Sequence, residues 1–234
     1  MKLADYMYYQ DDWATIYCGD CLEIMPLMNE KVDLTLTDFP YGNDTEYDMY
    51  EDSRKNLVDL VKTSMPLILK LSKVTLIACG IGNVSLFPPP DWILCWYWKH
   101  TQSGSSRWGF NNWQPILAYG EDPYLAAGMG RKQDAMTFPS ISIRDQNINH
   151  PCPKPFEVWR WFLNRGSASK TDLVFDPFLG SGTTCIAAKY LSKRSIGIDL
   201  SEKYCRIAAE RVMAVAGPSR SMMLKGERVK RGLF

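Results

Sequence analysis

Asp176-Pro177-Phe178-Leu179-Gly180-Ser181-Gly182-Thr183-Thr184 decides how this chain folds. The apolar run Leu173–Phe175 before it reads as a buried strand, and Thr183–Leu191 after it reads as a helix. A strand, a glycine-rich turn and a helix in that order have the geometry of a nucleotide-binding turn. Glycines let backbone approach a ligand, and the first N–H groups of the helix have no partners within the helix. The next strand, Ser195–Ile198, ends at Asp199, where a carboxylate can accept hydrogen bonds from two ribose hydroxyls.

Working outward, Glu202–Val215 has helical spacing and is closed by Gly217-Pro218. Upstream, Val32–Thr37 is a strand that stops at Asp38-Phe39-Pro40-Tyr41-Gly42. Ser53–Leu71 is helical, with Pro66 expected to kink it. Ala14–Tyr17, Val74–Cys79, Trp92–Trp98 and Ile116–Tyr119 read as strands, and Leu22–Met28 as a helical turn. Gly120–Asn149 has no regular period and reads as loop or a small irregular insertion. A helix with an aromatic face resumes after Pro155. Strands alternating with helices predict an α/β fold of Rossmann-like type, a mostly parallel sheet with helices on both faces. The expected organisation is a single domain over 1–216, with 101–149 as a small target-recognition insertion and 217–234 as a basic, flexible tail.

The bulk numbers bound the function. The 234 residues suffice for one such domain, and 46% apolar with 23% charged residues is an ordinary globular balance. No apolar run is long enough to span a bilayer, and Met1–Asp12 has no signal-peptide pattern, so no membrane partner and a cytoplasmic setting are expected. Seven scattered cysteines are not a disulfide framework. The one C-x-x-C pair, Cys18 and Cys21, has no second pair to complete a zinc site, so no metal is expected. Net charge is only +1, but unevenly spread. Asp44, Glu46, Asp48, Glu51 and Asp52 form an acidic stretch, and Arg220, Lys225, Arg228, Lys230 and Arg231 a basic tail. Both read equally as solvated surface, or as a tail that touches phosphates and a stretch that avoids them.

Alone, the glycine turn fits a dinucleotide dehydrogenase or a methyltransferase. Two features favour the second. Cys185 stands where G-x-G-x-x-G has its third glycine, and Asp-Pro-Phe precedes the glycines instead of a plain apolar strand end. With these motifs in view, the chain resembles the amino-group DNA methyltransferases, in the subgroup whose catalytic motif precedes the cofactor motif. D-P-F-L-G-S-G-T-T resembles that family's cofactor turn, and Thr37–Gly42 (T-D-F-P-Y-G) its catalytic D-P-P-Y. His150–Pro155 (H-P-C-P-K-P) resembles the element before the helix that flanks the turn, and Ile196–Arg211 the ribose-binding strand and its helix. Tyr17–Cys21 with Val32–Leu34, and later Trp98-Lys99 and Trp113–Tyr119, carry the resemblance through the remaining strands.

The resemblance implies S-adenosyl-L-methionine as cofactor and adenine N6 of a flipped base in double-stranded DNA as target, as in site-specific modification enzymes of restriction systems. Cytosine N4 is the alternative, although aspartate at position 38 favours adenine. The setting implied is a bacterial or phage-infected cell, and a second copy of the chain is a candidate partner. Asp38, Phe39, Pro40 and Tyr41 are the expected catalytic residues, with Asp38 and the carbonyl of Phe39 accepting the two amine hydrogens and Tyr41 stacking on the base. Asp199 is expected to bind the ribose, Phe178, Gly180 and Gly182 to line the pocket, and Asp176 and Thr183 to face the methionine part. Asp20 is a candidate partner of the adenine. Lys154 is expected either to neutralise the methionine carboxylate or to cap a helix. Arg107, Trp108, Arg131, Lys132 and Arg144, with Phe110 and Trp113, are candidate DNA contacts. The main departure is Phe39, where the family usually has proline. Losing proline's fixed φ predicts a looser loop or reshaped pocket, and a weakened, DNA- or cofactor-binding relative as the second reading.

Overall fold

A computed structural model describes residues 1–98, 103–106, 108–138 and 148–215. Its strands are β1 (Met7–Gln10), β2 (Ala14–Cys18), β3 (Val32–Asp38), β4 (Ser72–Ala78), β5 (Trp92–Tyr97), β6 (Ser103–Ser106), β7 (Gly109–Asn111), β8 (Trp113–Tyr119), β9 (Ala135–Thr137), β10 (Leu173–Asp176) and β11 (Arg194–Asp199). Its helices are α1 (Cys21–Ile24), α2 (Arg54–Leu71), α3 (Pro123–Ala126), α4 (Phe156–Gly166), α5 (Thr183–Tyr190) and α6 (Glu202–Ala214). One sheet runs β1-β2-β11-β10-β3-β4-β8-β5-β9, and β6 and β7 form a separate antiparallel pair.

The strands β2, β11, β10, β3 and β4 are mutually parallel, which requires helical crossovers. They are apolar on both sides because both faces are covered. On one face, Ile24, Leu57, Val61, Met65 and Ile68 from α1 and α2 pack on Val32, Ile77 and Phe175. On the other, Val158, Trp159, Phe162 and Ala188 from α4 and α5 pack on Leu34, Leu36, Leu76 and Val174. The chain leaves β10 toward β11 and leaves β3 toward β4, in opposite directions. The sheet therefore has its switch point between β10 and β3, where a crevice opens at the carboxyl ends of the strands.

Helix α2 spans Arg54–Leu71 with Pro66 inside it, as its spacing predicts, and buries a Leu57-Val61-Met65-Ile68 face. The structure differs from the sequence expectations at three places. β8 begins at Trp113, earlier than Ile116, because Trp113 to Pro115 pair with Tyr97 to Cys95 of β5. β1, which has no apolar alternation, pairs antiparallel with β2 at the sheet edge. Within Gly120–Asn149, α3 and β9 are regular, and β9 pairs in parallel with β5. The tail 217–234 lies outside the described residues.

Candidate functional site

Thr37 and Asp176 meet across the switch point, because β3 and β10 are neighbours. The Thr37 hydroxyl donates to Asp176 Oδ1 at 2.6 Å, and the Thr184 hydroxyl donates to Oδ2. Phe178 N–H adds a third bond to Oδ1 at 3.1 Å. Burial still dominates, and pushes the Asp176 carboxyl up to about 6. Gly180 N–H donates to Asp199 Oδ2 at 2.7 Å, and Ser201 N–H to Oδ1 at 2.9 Å, so the ribose candidate also braces the turn. Burial raises Asp199 likewise to about 6. Asp20 ends the approach to α1 and caps it, accepting from Leu22 N–H at 2.8 Å.

Asp20, Asp176, Thr184, Asp199 and Ser201 line a cavity of about 260 Å³ together with Asp38, Pro40, Lys154, Phe178, Gly180 and Thr183. Gly182 does not line it. Its φ is +81°, and a Cβ there would lie 2.7 Å from the Ala208 Cβ and 2.8 Å from its Cα. Gly182 is glycine because α5 and α6 approach closely. A larger hollow of about 820 Å³ lies between β9 and α4, away from these strand ends.

Asp38 ends β3 with both carboxylate oxygens engaged. Tyr41 O–H donates to Oδ1 at 3.0 Å, and Lys154 Nζ pairs with Oδ2 in a largely buried ion pair. Burial raises the Asp38 carboxyl above its ordinary value, while the Lys154 charge and the Tyr41 bond oppose the rise. Lys154 Nζ also lies 5.1 Å from the Tyr41 ring centroid. Lys154 caps no helix, since Pro155 stands at the start of α4.

Phe39 is 1% exposed, with its ring edge-on to Phe87 (5.0 Å) and Phe178 (4.6 Å). Its N–H donates to Ala78 O at 3.1 Å, a bond proline cannot make. The loop is therefore anchored, contrary to the loosening expected from losing proline.

Three features of the site were missed from sequence. Gln114 Nε2 on β8 donates to the Tyr41 hydroxyl, and Asn83 Nδ2 donates to Tyr41 O at 2.9 Å. His150 packs edge-on to Tyr204 (4.6 Å) and faces Gly180. Burial, together with Lys154, Arg211 and Lys203, lowers it to about 4, so it is neutral near pH 7. In the acidic stretch Asp44, Glu46, Asp48 and Glu51 are exposed as solvated surface, while its aromatic and apolar residues turn to the cavity as its wall. Asp52 is 2% exposed and accepts N–H bonds from Gly42, Asn43 and Thr45. Asp48 Oδ2 accepts from the Ser201 hydroxyl, while Tyr47, Met49 and Tyr50 face the cavity. Gln114 and Asn83 carry no local sequence signal. The Tyr47–Tyr50 spacing within an acidic run was the available hint for the wall.

Of the candidate DNA contacts, Trp108 is fully exposed between β6 and β7. Arg131 and Lys132 are exposed in the approach to β9, with Lys132 Nζ 5.0 Å from the Tyr124 ring. Trp113 is half-buried at the start of β8. Arg107 and Arg144 lie outside the described residues, as does the Phe110 side chain. Among the described residues, no group of His, Cys, Asp or Glu side chains is arranged to hold a metal, and no helix is long and apolar enough to cross a membrane.

A family model for DNA methylases matches residues 92–210, an interval that holds the glycine turn and Asp199 but not the Asp38 loop. The chain is 24% identical over 270 aligned residues to the type II methyltransferase M.ScaI of Streptomyces caespitosus, covering 89% of this chain and 84% of that protein. The structure of the PvuII DNA methyltransferase, described as cytosine-N4-specific, superposes with a TM-score of 0.68 at 16% identity, covering 94% of this chain and 93% of that one. M1.HpyAVI in complex with SAM superposes with a TM-score of 0.62 at 21% identity, covering 85% and 98%.

Proposed function

This chain belongs to the N6/N4 DNA methylase family, and from that membership we propose that it methylates adenine N6 of a flipped base in double-stranded DNA, using S-adenosylmethionine. The observation that carries the reading is the meeting of the Asp38 loop and the glycine turn in one cavity at the switch point. The cavity's chemistry fits this donor. Asp20, Asp38, Asp176 and Asp199 face it, suiting a molecule with two cationic centres and two ribose hydroxyls, and Lys154 faces it as counter-charge for a carboxylate. Bound there, S-adenosylmethionine supplies an electrophilic sulfonium methyl.

The chain's own task is to hold and sharpen the amine. Its lone pair is delocalised into the base, so it is a poor nucleophile until its hydrogens are drawn to acceptors. Asp38 Oδ takes one and the Phe39 carbonyl the other. When the nitrogen becomes cationic, its proton passes to Asp38, which also stabilises the developing charge. Tyr41 offers the stacking face for a base that leaves the duplex at a cost of about a few kcal/mol. Trp108 is exposed to meet DNA, whereas Arg131 and Lys132 lie toward the opposite end of the strands, beside Tyr124 and the far end of α4. One domain over 1–216 does this chemistry, 101–149 reads the target, and the basic tail adds phosphate contacts. The setting is the bacterial or phage-infected cytoplasm, with a second copy as candidate partner.

The test is mass spectrometry of nucleosides from methyl-free genomic DNA after incubation with protein and donor. N6-methyladenine is expected. Asp38→Ala is expected to lower its formation by about 10³-fold. Because burial raises Asp38, wild-type activity should fall on acidification at a higher pH than for an ordinary carboxylate. N4-methylcytosine would overturn the base assignment while keeping the mechanism. Donor binding without any methylated base would establish the second reading, a binding relative.

A further inference from the structure

The ammonium of Lys154 touches both groups that the proposed mechanism reserves for the base. It pairs with Asp38 Oδ2 and lies 5.1 Å from the centroid of the Tyr41 ring. With Tyr41 O–H on Oδ1 as well, Asp38 already has a partner on each oxygen. Lys154 is also the one cationic side chain among the described residues lining the cavity, since His150 there is neutral near pH 7. A donor bearing an α-carboxylate thus finds a single ammonium in the wall, already committed to Asp38. Both ends of that ion pair are mostly shielded from water, with side chains 13% and 19% exposed, so screening does little to loosen it.

We propose that Lys154 serves two partners in turn. Without donor it covers Asp38 and Tyr41. When donor binds, the ammonium swings to the α-carboxylate, leaving Asp38 Oδ2 and the face of Tyr41 free for the base. Donor and base then bind in order, and the empty enzyme does not hold a flipped base unproductively. The swing is a side-chain rotation on a flexible four-carbon stem, with the backbone of Lys154 held at the approach to α4, where Thr183 O–H donates to Lys154 O at 3.4 Å. This rests on the reading of the cavity as a donor site.

Competition between two carboxylates for one ammonium has a signature that requires no DNA. The probes are S-adenosylhomocysteine, a neutral thioether that keeps the α-carboxylate, and 5′-methylthioadenosine, which lacks the amino-acid part. Binding is measured by calorimetry on the full chain. Asp38→Asn releases Lys154 and is expected to tighten S-adenosylhomocysteine roughly tenfold, the scale of one charge-assisted hydrogen bond. Lys154→Gln is expected to weaken it by a similar factor. Neither substitution should change 5′-methylthioadenosine, whose retained binding also shows that the variants are folded. In a Lys154→Gln background, Asp38→Asn should have no further effect.

An Asp38→Asn variant that binds S-adenosylhomocysteine no more tightly than wild type overturns the proposal. So does equal tightening with and without Lys154, which would mean plain repulsion by Asp38 and no exchange. A wild-type chain that binds neither probe overturns the donor-site reading, and the proposal with it.

Discussion

The two loops that face each other across the switch point are built on opposite plans. The turn after β10 is braced chiefly by its own backbone. Gly180 N–H and Phe178 N–H go to carboxylates at the ends of adjoining strands, and positive φ at Gly180 and Gly182 sets its shape. The loop after β3 is held by side chains from far away in the chain. Phe87 and Phe178 hold Phe39, Asn83 and Gln114 hold Tyr41, and Lys154 holds Asp38. On the proposed reading, a donor common to a family is met by fixed backbone, and a base that is extruded and released is met by side chains able to change partners.

If the first plan is right, the largest loss of stability should come from the smallest change to the turn. Gly182→Ala adds one methyl where φ is +81° and where the Ala208 backbone leaves no room. Left-handed strain and the forced separation of α5 from α6 together should cost about 3 kcal/mol in urea unfolding. A loss below about 1 kcal/mol would show that α6 yields easily and that the turn is not a rigid frame.

The second plan is sharpened by making the chain more like its family. Phe39→Pro restores the usual residue, yet here it should destabilise. It empties a fully buried aromatic site and leaves Ala78 O without its donor, for about 2 kcal/mol by thermal or urea unfolding. An unchanged or raised stability would mean that the Phe39-Phe87-Phe178 cluster is incidental to the loop.

The same contrast explains what the sequence made legible. The glycine turn, Asp199 and the strands around them are specified by residues close in sequence, so spacing and turn chemistry were enough to place them. Asp38 was legible because it ends an apolar strand. The grip on Asp38 and Tyr41 was not, because Gln114 is one polar residue in a strand and Asn83 lies in a short helical turn with no period of its own. Only the pairing of β4 with β8 brings Gln114 to Tyr41. In the acidic stretch charge predicts solvent exposure, and Asp44, Glu46, Asp48 and Glu51 are exposed, but Asp52 is buried because three local N–H groups turn toward it. Lys154 lines the cavity, and its partner there depends on packing between α4 and β3 that no local pattern encodes.

The smallest expected effect tests the finest part of the comparison, whether Gln114 positions Tyr41 or merely fills space beside it. Gln114 is 7% exposed, and its amide donates to a hydroxyl that in turn donates to Asp38. Gln114→Leu keeps the volume and removes the donor. It should lower kcat/KM for methyl transfer roughly fivefold, the equivalent of about 1 kcal/mol for one hydrogen bond, with little change in donor affinity. Tyr41→Phe removes the hydroxyl through which Gln114 acts. Adding Gln114→Leu to it should therefore cost nothing more, because the pair is one connected unit. A full further loss in the Tyr41→Phe background would show that Gln114 acts through packing against the sheet. The loop after β3 would then be held less by directed bonds, and more by burial, than its geometry indicates.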